Sequence, residues 1–268
     1  MASKKTLVIE KLFFERFDAK TKMLSDPIVT LEQAEEAIRR WGKGRLSTRN
    51  PANFMKDIVR SPNRNKLFPE SVVREGWTAR QDPGSGRCFR FVPLDPEQET
   101  AFLTATPDPS LVANPHLVQT LSLPPASRPF GRPHETWLTH VVTNLGIVHT
   151  HFALNSPLDL IALDLLGSNV ALGDAEVDAI YLATSIEGRQ MLVSCEMKGM
   201  NEVLDEDQIE RGSRQVAKTS RTLEVIPMGI KAIGGGMVWI VEFDPHLPPL
   251  AKLSESVFRL EPPVPGIG

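Results

Sequence analysis

The sequence has few of the features that mark exported, disulfide-stabilised or membrane-spanning proteins. Only two cysteines, Cys88 and Cys195, occur in 268 residues. Two thiols are too few for a disulfide scaffold or a four-thiolate zinc site, and they suit a reducing compartment. No apolar run approaches the roughly 18 residues that a membrane span requires, and Glu10 and Glu15 interrupt the N-terminus too early for a signal peptide. We therefore predict a cytoplasmic protein with free cysteines and no membrane partner.

A nucleotide-binding loop is also missing from the sequence. The glycine run Gly234–Gly236 has neither the lysine nor the preceding strand and following helix of a phosphate-binding loop. We therefore predict no nucleotide cofactor. The chain has an ordinary apolar fraction of 41% and is long enough for two domains, each with its own core.

The net charge of −3 conceals two oppositely charged parts of the chain. Residues 1–94 hold 19 basic and 11 acidic side chains, whereas residues 95–268 hold 11 basic and 22 acidic ones. The segment from Arg39 to Lys66 contains nine basic residues and one acidic residue, Asp57. Such a run is typical of a surface that binds a polyanion, although a solvated basic surface has the same composition. The charge pattern favours nucleic-acid binding by the N-terminal part.

The order of elements in this basic part indicates how it would bind. Thr30 and Gln33 have the spacing of a capping box, and the helix that they begin should end before Gly42. A second, basic helix should start near Ser47 or Asn50, and GWTARQ and RCFRFVPL should form a hairpin. Helix, turn, basic helix and hairpin resemble the winged helix-turn-helix, whose second helix enters the major groove while the hairpin touches the DNA backbone.

The winged-helix resemblance covers residues 25–94 and implies a set of DNA-contacting side chains. They come from the turn, the basic helix and the hairpin: Arg45, Ser47, Thr48, Arg49, Asn50, Asn53, Lys56, Arg60, Arg80 and Arg87. Residues 7–17, which precede this region, fit a short amphipathic helix or a strand equally well. We take residues 1–94 as a winged-helix-like DNA-binding domain.

The remaining chain is divided by its prolines. Residues 95–132 contain seven prolines and little periodicity, which predicts a linker or an irregular wrap between domains. Residues 134–148 have a helical pattern. They are followed by the predicted strands LIALDLL, VDAIYLA and MLVSCEMKG, a polar helix over residues 205–222 and the strand MVWIVEF. This order predicts an α+β or α/β sandwich with a central mixed sheet over residues 133–268.

Charged residues in this second domain stand where two apolar strands begin and end. Asp178 lies at the start of VDAIYLA, and Glu196 and Lys198 close MLVSCEMKG. Because side chains alternate along a strand, Glu196 and Lys198 emerge on one face. Two carboxylates can hold a divalent metal against a phosphate, and an ammonium can stabilise charge there. A hairpin with solvated charges at its ends would have the same spacing.

This arrangement resembles the PD-(D/E)xK nuclease superfamily, which includes most type II restriction endonucleases. The resemblance assigns metal binding to Asp178 and Glu196, and it matches Lys198 to the lysine of the family. Val177 replaces the proline that gives the motif its first letter. The implied fold is a restriction-endonuclease-like sandwich, and the implied activity is phosphodiester hydrolysis.

Members of this superfamily often add an acidic residue from the helix before these strands. Glu135 occupies a plausible position for it, and Glu176 competes with Glu135. Gln208 and Gln215 lie seven residues apart on the following helix, where they could orient a water or touch DNA. An exposed polar helix face is the other interpretation of these two glutamines.

The resemblance implies an endonuclease that uses Mg²⁺, with Mn²⁺ as a substitute, to hydrolyse both strands of double-stranded DNA at a short site. Each chain would have one active centre, and the two DNA strands are antiparallel. A two-fold homodimer is therefore the simplest arrangement that cuts both strands. Ala52 and Met55 could contact a methyl group in the major groove, so dependence on 5-methylcytosine stays open. A structure-specific repair or mobile-element nuclease and a catalytically inactive DNA-binding regulator also stay open.

Overall fold

The computed structural model describes residues 4–42, 68–81, 89–94, 106–173, 175–221, 223–246 and 250–267. The chain separates into two units, Met1–Leu103 and Thr104–Gly268, and each has its own hydrophobic core. The predicted basic helix that should start near Ser47 lies outside the described residues.

The described part of the first unit contains three helices and two small sheets. Its elements are α1 (Lys4–Phe14), β1 (Phe17–Asp18), β2 (Met23–Leu24), β3 (Ile28–Val29), α2 (Leu31–Trp41), α3 (Glu70–Arg74), β4 (Trp77–Gln81) and β5 (Phe89–Pro93). β1 pairs with β2, and β3, β5 and β4 form an antiparallel sheet in that order. The hairpin predicted from the sequence is therefore confirmed as β4 and β5.

Local sequence signals explain how this unit forms. Thr30 Oγ1 accepts a hydrogen bond from Gln33 N at 3.3 Å, and Gln33 Oε1 accepts one from Thr30 N at 3.0 Å, so the predicted capping box begins α2. The ambiguous segment 7–17 is mostly helical, because α1 places Ile9 and Phe13 in the core together with Ile38 of α2.

The second unit is built around one seven-stranded sheet. Its elements are α4 (Pro109–Ala113), β6 (His116–Gln119), a 3₁₀ helix (Pro125–Phe130), α5 (Glu135–Asn144), α6 (Ile147–Leu154), β7 (Leu160–Leu172), β8 (Ala175–Ser185), β9 (Gln190–Lys198), α7 (Glu206–Ser220), β10 (Glu224–Ile233), β11 (Met237–Phe243) and β12 (Lys252–Glu261). The strand order is β6-β12-β11-β10-β9-β8-β7. The β9–β10 and β12–β6 pairs are parallel and the other pairs are antiparallel, so the sheet is mixed, as predicted.

Helices cover both faces of this sheet. On one face, α5 and α6 pack against alternate residues of β9 such as Val193 and Cys195. On the other face, α7 packs with Val216 and Ile209 against apolar residues of several strands. Ser194 of β9 lies against Gly212 of α7. Because side chains alternate along a strand, Glu196 and Lys198, two and four residues further on, also point towards the α7 face.

The structure differs from the sequence prediction at two connections. The linker or wrap was predicted over residues 95–132. The structure describes residues 106–132 of it, and these belong to the second unit, where β6 adds an edge strand to the sheet by pairing with β12. The helix predicted over 134–148 is two helices, because Gly146 adopts a left-handed φ of 60° between α5 and α6. The backbone freedom of glycine permits this sharp change of direction.

Candidate metal centre

Asp178 lies where β8 and β9 separate. The pairing between these strands runs from Ala179–Cys195 to Thr184–Gln190. Beyond it, Asp178 Oδ2 accepts a hydrogen bond from the backbone N of Met197 at 2.6 Å. The carboxylate thus replaces a backbone carbonyl as the acceptor for Met197, which fixes Asp178 beside the end of β9.

Glu196 and Lys198 are buried at this end of β9, with residue exposures of 5% and 6%. Lys198 Nζ lies 2.6 Å from Glu196 Oε1. Buried charges at such positions are costly unless they are paired. The sequence was also compatible with solvated charges at the ends of a hairpin, but the structure shows buried ones.

Glu135 reaches the same place from the first turn of α5. His134 caps this helix by accepting a hydrogen bond from Thr136 N at its Nδ1, 3.3 Å away. The N-terminus of a helix carries partial positive charge, which stabilises a carboxylate there. Glu135 Oε1 accepts a hydrogen bond from Lys198 Nζ at 2.5 Å, so Lys198 joins Glu135 to Glu196.

The carboxylates of Glu135, Asp178 and Glu196 form a group whose ligand atoms all lie within 4.8 Å of one another. One oxygen of each carboxylate bonds to a protein donor: Oδ2 of Asp178 to Met197, and Oε1 of both glutamates to Lys198. These residues could therefore hold a metal ion.

Burial disfavours the ionised forms of the side chains in this cluster. Burial raises the pKa of Asp178 to about 6, against the hydrogen bond from Met197 and the charge of Lys198. Burial also raises the pKa of Glu196 to about 7, although the positive charge of Lys198 lowers it. Burial alone would lower the pKa of Lys198, but the Glu196 and Glu135 carboxylates outweigh it and hold that pKa above its usual range. The lysine remains an ammonium.

The charge and chemistry of the donors fit a hard divalent cation. Three carboxylates and one ammonium leave a formal charge of −2 when all four groups are ionised, which a divalent cation would neutralise. Hard divalent cations such as Mg²⁺ prefer oxygen ligands, which carboxylates supply. The donors lack the thiolates and imidazoles that zinc prefers.

The structure brings four predicted catalytic residues together: Glu135, Asp178, Glu196 and Lys198. Glu176 is exposed and is not in the carboxylate group. The two predicted glutamines are half-buried on α7, and Gln215 lies against the backbone of Gly173, where an added Cβ would be 2.6 Å from its Nε2. The structure thus gives Gln215 a packing contact with the β7–β8 turn.

Of the predicted DNA-contacting residues, the structure describes Arg80. It is half-buried on β4 and pairs across the hairpin with Arg90 of β5. The others lie outside the described residues: Arg45, Ser47, Thr48, Arg49, Asn50, Asn53, Lys56, Arg60 and Arg87.

A second lysine, Lys231 of β10, lies beside Lys198 and was not predicted as a site residue from the sequence. The parallel register of β9 and β10 places Lys231 opposite Lys198. β10 itself was not predicted, because Pro227 and Gly229 interrupt its apolar pattern. One sequence signal could have pointed to Lys231, because it follows an apolar run, as Lys198 does.

Among the described residues, no helix is both long and apolar enough to cross a membrane. Comparisons with protein families, with curated proteins and with solved structures give no significant match for this chain.

Proposed function

We propose that this protein is a metal-dependent DNA endonuclease of the PD-(D/E)xK type. The observation that carries the proposal is the buried group of Glu135, Asp178 and Glu196, joined by Lys198 at one edge of the sheet. Four ionisable side chains from three elements converge there although their burial is costly, and such sites are typical of catalysis. The order of Asp178, Glu196, Lys198 and a following helix agrees with that superfamily motif.

Each residue has a distinct role in the proposed reaction. Asp178, Glu196 and Glu135 would hold Mg²⁺, or Mn²⁺ in its place, through their carboxylate oxygens. A bound divalent cation polarises the phosphate and lowers the pKa of a coordinated water. Lys198 would donate a hydrogen bond to a phosphate oxygen or to the attacking water, and its charge would stabilise the negative charge that develops there. Its contacts with both glutamates hold the ammonium beside these carboxylates.

The N-terminal unit would supply most of the attraction for DNA. The second unit belongs to the acidic part of the chain, and charge neutralisation of phosphates by Lys and Arg dominates DNA affinity. The capped helix α2 and the β4–β5 hairpin supply two elements of the proposed winged helix, and the hairpin carries Arg80 and Arg90 side by side. We propose that the basic segment between α2 and α3 reads the major groove.

A restriction-type enzyme that cuts both strands would act as a homodimer on double-stranded DNA, since each chain contributes one such centre. The test is digestion of supercoiled plasmid by the purified protein with Mg²⁺, followed by sequencing of the ends. Discrete fragments with defined ends are expected. Cutting only at branched or damaged DNA would favour a structure-specific nuclease. A gel shift without cutting would favour a DNA-binding regulator and would contradict the nuclease proposal.

A further inference from the structure

Lys231 of β10 lies beside the candidate metal centre but bonds to a different part of the chain. The register of β9 and β10 places Lys231 opposite Lys198 and Gly229 opposite Glu196. Paired residues of neighbouring strands project from the same face of a sheet. Lys231 therefore belongs to the α7 face, as Glu196 and Lys198 do, and is available to the loop that joins β9 to α7.

Main-chain carbonyls of this loop surround the ammonium of Lys231. Its Nζ donates to Gly199 O at 3.2 Å and to Met200 O at 3.4 Å, and it also donates to Glu202 O. An ammonium has three N–H donors and no acceptor, so the three carbonyls match its capacity. Carbonyl dipoles that converge on one point repel each other unless positive charge lies between them. The ammonium of Lys231 therefore stabilises this arrangement of the three carbonyls.

The same loop is attached at further points. Glu202 Oε2 accepts a hydrogen bond from Gly199 N at 2.8 Å. A Cβ at Gly229 would lie 2.6 Å from Cδ2 of Leu204, so the missing side chain makes room for Leu204, which is 2% exposed. Asp205 then caps α7 by accepting a hydrogen bond from Asp207 N. Residues of β10 therefore hold the loop at both ends.

We propose that Lys231 is a positioning residue of the active site, which fixes residues 199–202 and through them the end of β9 that carries Glu196 and Lys198. The consequence for catalysis rests on the proposed nuclease function, whereas the consequence for the loop does not. Lys198 directly precedes this loop in the sequence. Its Nζ lies 2.5 Å from a carboxylate oxygen of Glu135 and 2.6 Å from one of Glu196. A displacement of a reacting group by about 1 Å can reduce a rate roughly a hundredfold, so modest loosening of the loop matters.

The test compares Lys231→Met, Lys231→Arg and the control Lys218→Met, which changes an exposed lysine in the last turn of α7. Hydrogen exchange of the amides of residues 199–204 reports the loop, and exchange elsewhere in the sheet reports folding. Single-turnover cleavage at saturating DNA and Mg²⁺ reports catalysis. For Lys231→Met we expect faster exchange in the loop and cleavage at least roughly tenfold slower, with DNA affinity unchanged. Lys231→Arg, which keeps the charge, should recover most of the rate, and Lys218→Met should match the wild type.

Three results would overturn the proposal. Unchanged loop exchange in Lys231→Met would show that Lys231 does not fix the loop, whether or not the protein cuts DNA. Faster exchange with a wild-type cleavage rate would show that the loop is not connected to catalysis. If the wild type itself does not cut DNA, the nuclease proposal fails separately. Calorimetric Mn²⁺ binding then replaces cleavage: Lys231→Met should bind roughly tenfold more weakly, and equal affinity would overturn the positioning role.

Discussion

The raised pKa values of the carboxylate group predict how the metal-free protein responds to pH and to Glu196→Gln. One pKa unit corresponds to about 1.4 kcal/mol, so a rise from 4.5 to about 7 means that ionising Glu196 in the folded protein costs about 3 kcal/mol of stability. Glutamine has nearly the same shape and no charge. The variant should therefore avoid this cost.

The sign of the effect follows from proton binding in the two states. Asp178 and Glu196 have higher pKa values in the folded protein than in the unfolded chain, so the folded state binds more protons between about pH 4 and about pH 7. Their contribution to stability is present below this window and is lost as the pH rises through the folded pKa values. Over this window, the free energy of unfolding of the wild type should fall by about 3 kcal/mol more than that of Glu196→Gln.

Chemical unfolding in EDTA at a series of pH values measures this difference. Glu187→Gln, in the exposed turn between β8 and β9, is the matched control and should follow the wild type. Saturating Mg²⁺ should reverse the order at about pH 8, because ligand binding to the folded state stabilises the wild type and not a variant that lacks one ligand. Parallel pH profiles of wild type and Glu196→Gln in EDTA would show that ionising Glu196 does not cost stability in the folded protein.

Four further predictions concern metal, folding and DNA. Mg²⁺ binding near pH 6 should release protons, as calorimetry in buffers of different ionisation enthalpy would detect; no release would contradict the raised pKa values of Asp178 and Glu196. Thr30→Ala should destabilise the first unit by about 1 kcal/mol in chemical unfolding while Thr30→Ser does not, and equal stabilities would argue against the capping box. Lys56→Ala should reduce the slope of DNA affinity against salt concentration by about one, and an unchanged slope would remove that phosphate contact. A requirement for 5-methylcytosine predicts that methylated plasmid is cut and unmethylated plasmid is not, and equal cutting would exclude it.

Signals that act over a few residues were readable from the sequence. The capping box of Thr30 and Gln33, the β4–β5 hairpin and the three consecutive strands β7, β8 and β9 were all predicted, because capping, turn chemistry and apolar periodicity are local properties. The spacing of Glu196 and Lys198 likewise places both on one face of β9 wherever that strand packs.

Features that depend on tertiary packing could not be predicted from the sequence. Pro227 and Gly229 obscured β10, although Gly229 is needed there because Leu204 fills the space of its side chain. The sequence could not choose between Glu135 and Glu176, because the choice depends on where the N-terminus of α5 meets the sheet, 63 residues away from Lys198 along the chain. The role of Lys231 depends on strand register, which a single sequence does not specify.

The proposed function requires that Asp178, Glu196 and Lys198 carry out metal-dependent DNA cleavage. Its most direct test measures cleavage with Mg²⁺ and DNA binding without it for the wild type and for Asp178→Asn. The substitution removes the charge, while the amide oxygen can still accept the hydrogen bond from Met197. We expect that the wild type cuts DNA, and that the variant binds DNA with the same affinity but cuts it at least roughly a thousandfold more slowly. Cleavage by Asp178→Asn at the wild-type rate would show that this carboxylate is not part of the active centre.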